Sequence, residues 1–225
     1  MSGRTPAMRV GIFGGTFDPP HVGHLIVAQD AALALRLDRI LFVPAARPPH
    51  KRATDVTAAR LRAEMLARAI EGDGRFGMDR LELDRPGASY TVDTLRELSG
   101  RAPDTRWTLL IGADQYEEFA TWRDPEDIRR LARVAVLMRG GSPGASDDTH
   151  AAARRPSATE SARPSARGIE GRDVAVDVTR IDVSATAVRQ RVAAGLPIRY
   201  MVPRAVEEFI FEHRLYVRNG TPVTG

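Results

Sequence analysis

A glycine-rich turn between a strand-like and a helix-like segment constrains this chain more than any other feature. The apolar run at 8–13 is typical of a buried strand, and the segment 22–36 is rich in helix formers. Between them the chain reads Gly-Gly-Thr-Phe-Asp-Pro-Pro, and His21 and His24 follow. Such a turn presents backbone N–H groups and the positive end of a helix, so the sequence predicts a polyphosphate site here.

Strand-like and helix-like segments alternate along the rest of the chain. This alternation predicts an α/β protein with a Rossmann-like, doubly wound, mostly parallel sheet and C-terminal helices. Ligands of such sheets bind beyond the carboxyl ends of the strands. The other predicted strands are 39–43, 76–83, 107–111, 134–138 and 174–178, and the other predicted helices are 57–70, one opening at 89–95, 184–195 and 203–213. The predicted core includes Leu131, Val134, Val136 and Leu137.

Residues 140–172 differ in composition from their surroundings. They are rich in Gly, Ser, Ala, Pro and Arg and have almost no large apolar side chains. Such a segment cannot bury enough apolar surface to fold by itself. We therefore expect a single domain over 1–225 with a disordered surface insertion at about 140–172.

Composition narrows the class of protein. The 225 residues contain no cysteine, which excludes disulfides and thiolate metal sites. The chain also has no secretion signal and no apolar run of membrane-spanning length. Together with the lack of cysteine, these features predict a cytoplasmic protein without a membrane partner. The net charge of +4 is spread along the chain and predicts no nucleic-acid partner. The oligomeric state is left open.

The glycine turn and its histidines are the first candidate site. His21 and His24 stand one helical turn apart, so both imidazoles can face one ligand and donate where negative charge builds up. Ordinary loop histidines and metal ligands are the alternatives, but further ligands for zinc do not stand nearby, and no metal site is predicted. Asp18 is equally compatible with a turn-forming Asx residue. The glycines allow close approach of a phosphate to the backbone, in a pocket predicted to comprise Gly14, Gly15, Thr16 and Phe17.

Several blocks along the chain resemble a known family. The run Gly14–Pro19 with His21-Val22-Gly23-His24 is similar to the signature of the HxGH nucleotidyltransferase superfamily. Later blocks narrow the resemblance to the bacterial nicotinate-nucleotide adenylyltransferases, and they follow in family order over nearly the whole chain outside the insertion. These blocks are Pro48-Pro49-His50-Lys51, Ser89–Leu95, Gly112-Ala113-Asp114-Gln115, Trp122, Val183–Arg189 and Tyr200–Pro203.

The resemblance implies a reaction of NAD biosynthesis. ATP and nicotinate mononucleotide would give nicotinate adenine dinucleotide and pyrophosphate, as the phosphate of the mononucleotide attacks the α-phosphorus of ATP in line. Such chemistry needs positioning and charge stabilisation more than a covalent group. Mg²⁺ would accompany ATP, held mainly by phosphates and water.

The resemblance also assigns roles to single residues. Those implied to be catalytic are His21, His24 and Arg189. Those implied to bind ATP are Gly14, Gly15, Thr16, Phe17, Asp114, Ser184 and Thr186, with Asp114 at a ribose hydroxyl. Those implied to bind nicotinate mononucleotide are Lys51, Tyr90, Thr91, Trp122 and Arg123. Lys51, the only lysine of the chain, would reach a phosphate.

Several of these residues have a simpler interpretation. Asp114 and Ser184 are compatible with helix N-caps, and Arg189 with a surface arginine. Trp122 and Tyr90 are compatible with packing, and Lys51 with a solvated loop.

Other functions remain compatible with these blocks. Ala185 stands where the family usually has a second serine, which puts one phosphate contact in doubt. The alternatives are a superfamily member that acts on a pantetheine, glycerol-phosphate or nicotinamide substrate, and a regulatory module that binds ATP without turning it over.

Overall fold

One parallel sheet organises the part of the chain that the computed structural model describes, residues 6–46, 56–139, 169 and 171–217. Its strands are β1 (Arg9–Gly15), β2 (Arg39–Pro44), β3 (Phe76–Met78), β4 (Arg106–Gly112), β5 (Arg133–Arg139) and β6 (Val174–Val178). The helices are α1 (Val22–Leu35), α2 (Ala59–Ile70), α3 (Leu81–Asp84), α4 (Thr91–Arg101), α5 (Ala113–Glu117), α6 (Pro125–Leu131), α7 (Ala185–Ala193) and α8 (Arg204–Glu212).

The strand order confirms the predicted α/β fold class. The strands lie in the order β3-β2-β1-β4-β5-β6, and every neighbouring pair is parallel. The direction of winding reverses between β1 and β4, and a crevice forms where two such strands end. The sequence places Gly15 at the end of β1 and Gly112 at the end of β4, so both glycines lie at this crevice.

Alternate side chains of the strands belong to two apolar clusters, one on each face of the sheet. On β4, Leu109 and Ile111 belong to one cluster and Leu110 to the other, as the two-residue period of a strand requires. The predicted core residues are confirmed. Val134, Val136 and Leu137 of β5 are buried, and Leu131 at the end of α6 is partly buried against the first cluster.

A third cluster joins α2 to the C-terminal helices. Met65 and Ala69 of α2 pack with Val188 of α7 and with Phe209 and Ile210 of α8. This packing places α7, which carries Arg189, against α2.

Two parts of the predicted organisation come out differently. The strand expected over 76–83 ends at Met78, because the carboxylate of Asp79 accepts from the N–H of Leu81 at 2.9 Å and α3 begins there. The expected insertion at 140–172 falls outside the described residues except at 169, 171 and 172. Among the helices that the structure describes, none has the length and apolarity that crossing a membrane requires.

Candidate active site

The turn after β1 leaves its backbone open at one point. A side-chain carbon built on Gly14 would meet no described atom within 4 Å, whereas one on Gly15 would lie 2.9 Å from the ring of Phe17. Phe17 is 2% exposed, and its ring packs 5.1 Å from the ring of His24. The side chain of Phe17 therefore supports the turn from below, and what this residue can offer a nucleotide is its backbone.

His21 and His24 lie together at the start of α1, as their spacing predicts. Their rings stack with centroids 3.7 Å apart. The N–H of His21 donates to Nδ1 of His24 at 3.1 Å, and the N–H of His24 donates to the carbonyl of His21 at 3.0 Å. Because Nδ1 of His24 accepts a hydrogen bond, the proton of the neutral ring resides on Nε2. His24 thus has a fixed tautomer with Nε2–H as its donor.

The glycine between the histidines makes room for this stack. A side-chain carbon on Gly23 would lie 3.0 Å from Nδ1 of His21 and 3.5 Å from Ile181. The first distance is tighter than ordinary van der Waals contact, so a larger residue would displace the ring of His21 from its position beside α1.

Asp18 holds the turn in place from the inside. Its carboxylate is buried and accepts from the N–H of Thr57 at 3.1 Å and the hydroxyl of Tyr216 at 2.6 Å. Burial raises the pKa of Tyr216, which keeps its phenol protonated as a donor. The Asx-turn interpretation of Asp18 is wrong, because Pro20 at the required position has no N–H.

Helix α7 approaches the same turn from the far end of the sequence. Arg189 donates from Nη1 to the carbonyl of Asp18 at 2.7 Å and from Nη2 to the hydroxyl of Thr186 at 3.3 Å. Ser184 is the N-cap, and its hydroxyl accepts from the N–H of Ala187 at 3.1 Å. The N-cap interpretation of Ser184 is therefore confirmed, whereas Arg189 is fastened to the turn after β1 and is not a freely solvated arginine.

Asp114 lies at the carboxyl end of β4, across the crevice from Gly14. Gly112 is the N-cap of α5, so the N-cap interpretation of Asp114 is wrong. Asp114 is the second residue of α5 and is exposed. Its carboxylate remains available to an external hydroxyl group at this edge.

The residues expected at the nicotinate end lie around the start of α4. Tyr90 precedes the helix and Thr91 begins it. The guanidinium of Arg123 lies 4.9 Å above the ring of Tyr90, and its Nη1 lies 3.5 Å from Asp93. These contacts bring the segment that carries Trp122 and Arg123 to the start of α4.

Trp122 combines packing against the core with partial exposure. Trp122 is half-buried, packs against the first core cluster and lies 5.4 Å from the ring of Phe119, as the packing alternative predicts. Its partial exposure leaves indole surface for a ligand. Lys51 lies outside the described residues.

Two buried charged residues near the site were not predicted from the sequence. Arg62 is 1% exposed, and burial lowers the pKa of its guanidinium. The available signal was its place in the apolar stripe of α2, which runs through 62, 65, 66 and 69. Glu82 is also buried and accepts from the hydroxyl of Thr94 at 2.6 Å, and burial raises the pKa of its carboxyl group.

In the described ranges, no three His, Asp or Glu side chains lie close enough together to hold a metal ion. An open cleft lined by Glu64, Arg68 and Phe76 lies where α2 ends and β3 begins, away from the carboxyl edge of the sheet.

Comparisons with known proteins agree with the fold and motifs. The model of the cytidylyltransferase-like family matches residues 12–191. A probable nicotinate-nucleotide adenylyltransferase of Thermus thermophilus is 42% identical over 209 residues, covering 93% of this chain and 100% of that relative. One of Rubrobacter xylanophilus is 42% identical over 212 residues, covering 93% and 92%.

A solved structure extends the likeness to the fold. The Plasmodium falciparum nicotinic acid mononucleotide adenylyltransferase complexed with NaAD has a TM-score of 0.67 at 16% identity. The likeness covers 93% of this chain and 97% of that one, which shows a shared fold over nearly the full length of both.

Proposed function

This chain belongs to the nicotinate-nucleotide adenylyltransferases, within the cytidylyltransferase-like family, and we propose that it joins ATP and nicotinate mononucleotide. A phosphate oxygen of the mononucleotide bonds to the α-phosphorus of ATP. The bond from that phosphorus to the bridging oxygen breaks, and pyrophosphate leaves with the electron pair. The products are nicotinate adenine dinucleotide and pyrophosphate. The observation that carries the proposal is the stacked His21–His24 pair at the crevice, with Arg189 fastened to the same turn.

Charge stabilisation at the ATP end comes from donors on two segments distant in sequence. Nε2–H of His24 and the guanidinium of Arg189 donate to the phosphates as negative charge moves onto the leaving pyrophosphate. The open backbone at Gly14 accepts close approach of the triphosphate, and the start of α7 adds a positive helix end. Asp114 accepts from a ribose hydroxyl of ATP.

The nicotinate end is formed by the start of α4 and the segment after the helical turn Phe119–Thr121. The hydroxyl of Thr91 and the backbone N–H after Trp122 donate to the carboxylate of the substrate. The exposed part of the Trp122 indole stacks on the pyridine ring. Arg123, which lies over the ring of Tyr90, supplies positive charge on the same side, and Lys51 reaches the phosphate of the mononucleotide.

Magnesium enters as part of the MgATP substrate. We expect the phosphates and water to supply most of its ligands, while His24 and Arg189 act on the phosphates directly.

Pyrophosphate release from MgATP and nicotinate mononucleotide tests the proposal, with nicotinamide mononucleotide as the competing substrate. We expect turnover with strong preference for the acid, because a carboxylate pocket left without its anion keeps unpaired donors. Thr91→Val should raise the KM for nicotinate mononucleotide and reduce this preference, while the KM for ATP stays unchanged. ATP binding without pyrophosphate release would instead identify a sensing module, and equal use of both mononucleotides would refute the carboxylate pocket.

A further inference from the structure

The guanidinium of Arg62 joins three backbone segments beneath the candidate active site. Nη1 donates to the carbonyl of Thr16 at 2.6 Å, and Nε donates to the carbonyl of Thr57 at 2.9 Å. Nη2 donates to the carbonyls of Ala45 at 2.7 Å and Ala46 at 3.2 Å. One side chain on α2 thus holds the turn after β1, the segment after β2 and the segment before α2.

The bond to Thr16 fixes the direction of a backbone donor. In a planar trans peptide the carbonyl and the following N–H point in opposite directions, and the Thr16–Phe17 bond is trans. Because the carbonyl of Thr16 points to Arg62, the N–H of Phe17 points away from it. Arg62 therefore sets the orientation of an amide in the turn that is proposed to bind the phosphates of ATP.

The other bonds connect this turn to the mononucleotide side. Ala45, Ala46 and Thr57 flank residues 47–55, which include Lys51. Asp18 strengthens the same connection, because its carboxylate accepts from the N–H of Thr57. Arg62 is thus the side chain that contacts all three of these segments at once.

A purely stabilising role would not require this residue. Burial lowers the pKa of Arg62 despite the nearby carboxylate of Asp18, so the desolvation cost of the cation is not fully offset. Apolar packing avoids this cost, and a buried charge is therefore a weak source of stability. Its neighbours in the stripe, Met65, Leu66 and Ala69, fill the interior of the protein without this cost. What the guanidinium adds is a rigid fork that can satisfy several carbonyls at fixed angles.

We propose that Arg62 is a positioning residue that aligns the phosphate-binding turn with the segments flanking 47–55, so that the attacking phosphate meets the α-phosphorus in line. This inference rests on the proposed function, since it assigns the two sides to the two substrates. Misplacement by about 1 Å can cost about 100-fold in rate. Loss of alignment should therefore lower kcat more than it raises KM.

The test compares Arg62→Lys with two controls on the same helix. Lysine keeps the charge but replaces the fork with one ammonium, which cannot reach all four carbonyls. Met65→Ala destabilises α2 through its packing with the C-terminal helices, and Arg68→Lys makes the same chemical change at a half-buried position. kcat and both KM values are measured at a temperature where every variant is folded.

We expect Arg62→Lys to lower kcat about 10- to 100-fold with KM changes under about 3-fold. Met65→Ala and Arg68→Lys should stay within about 2-fold of the natural protein when folded. Amide exchange in the segment 14–18 should accelerate in Arg62→Lys and not in Met65→Ala. A kcat for Arg62→Lys equal to that of Met65→Ala at matched thermal stability would overturn the proposal.

Failure of the variants to fold and lack of turnover by the natural protein lead to different conclusions. If neither Arg62→Lys nor Arg62→Gln yields folded protein, the residue is required for the fold and the positioning role is overturned. If the natural protein releases no pyrophosphate, the proposed function fails. The exchange measurement then still decides whether Arg62 orders the turn.

Discussion

His24 is the residue at which a catalytic effect can best be separated from a structural one, because its two ring nitrogens make different contacts. Nδ1 accepts the hydrogen bond from His21 that closes the start of α1, and Nε2–H is the donor proposed for phosphate. Asparagine places an amide group near the position of Nδ1 and nothing near that of Nε2. Glutamine places its NH₂ group near the position of Nε2. The pair His24→Asn and His24→Gln therefore tests the distal donor, with His24→Ala as the variant that loses both groups.

The expected magnitudes follow from these contacts. Removal of one donor to charge that develops in a transition state costs about 100- to 1000-fold in kcat, or about 3–4 kcal/mol. Loss of a helix-capping hydrogen bond costs about 1 kcal/mol of unfolding free energy. For a chain of 225 residues that loss lowers Tm by about 2–4 °C. His24→Asn should thus lose kcat with little change in Tm, while His24→Ala loses kcat and also a few degrees.

The assay is pyrophosphate release at saturating MgATP and nicotinate mononucleotide, with Tm followed by circular dichroism. His24→Gln should recover at least tenfold in kcat over His24→Asn, since it restores a neutral donor. A kcat for His24→Asn within about 5-fold of the natural protein would refute the donor role. If only His24→Ala loses activity and its Tm falls by far more than one capping bond explains, the histidine serves the fold.

Three further variants test other parts of the structure. Tyr216→Phe removes a donor from the buried carboxylate of Asp18, which should cost about 2 kcal/mol and about 4–8 °C in Tm by calorimetry; an unchanged Tm would contradict this bond. Arg189→Lys should lower kcat/KM for ATP about tenfold or more in steady-state kinetics, because one ammonium cannot serve the carbonyl of Asp18 and a phosphate in fork geometry; unaltered kinetics would show that the fork is not used. Glu82→Gln should remove a pH dependence of the free energy of unfolding. Burial raises the pKa of Glu82, so above pH 4.5 the unfolded state releases its proton first and the natural protein loses stability relative to the variant as pH rises; parallel Tm–pH curves for both proteins would contradict this sign.

The local parts of the site could be predicted from sequence because short-range geometry fixes them. His21 and His24 are three residues apart at a helix start, and that spacing brings their rings to the same side, where Gly23 leaves room for them to stack. The carboxyl edge of a parallel sheet likewise determines that the turn after β1 and Asp114 after β4 share a crevice. The strand pattern sufficed for this, although the short strand β3 was expected to be longer.

The connections between these parts could not be predicted, because they are made across long sequence separations. Asp18 and Tyr216 are 198 positions apart, and neither residue type by itself indicates a buried partner. Arg62 sits in an apolar stripe, but the stripe does not reveal that its partners are backbone carbonyls of three loops. Backbone acceptors carry no signal in residue identity.

The groups proposed to meet phosphate and the groups that align them lie on different parts of the structure, so substitutions can test the two sets separately. The groups proposed to meet phosphate lie on local motifs, and their loss leaves most of the packing intact. The groups that align those motifs are buried: Arg62 and Asp18 contact backbone or hydroxyl partners and lie beneath the turn. Changes that remove only a phosphate-facing donor, such as His24→Asn, should therefore lower kcat with little change in Tm, whereas changes to the second set should lower both. A double variant that joins His24→Asn to Arg62→Lys should lose less than the product of the single effects, because a misaligned donor has little left to contribute.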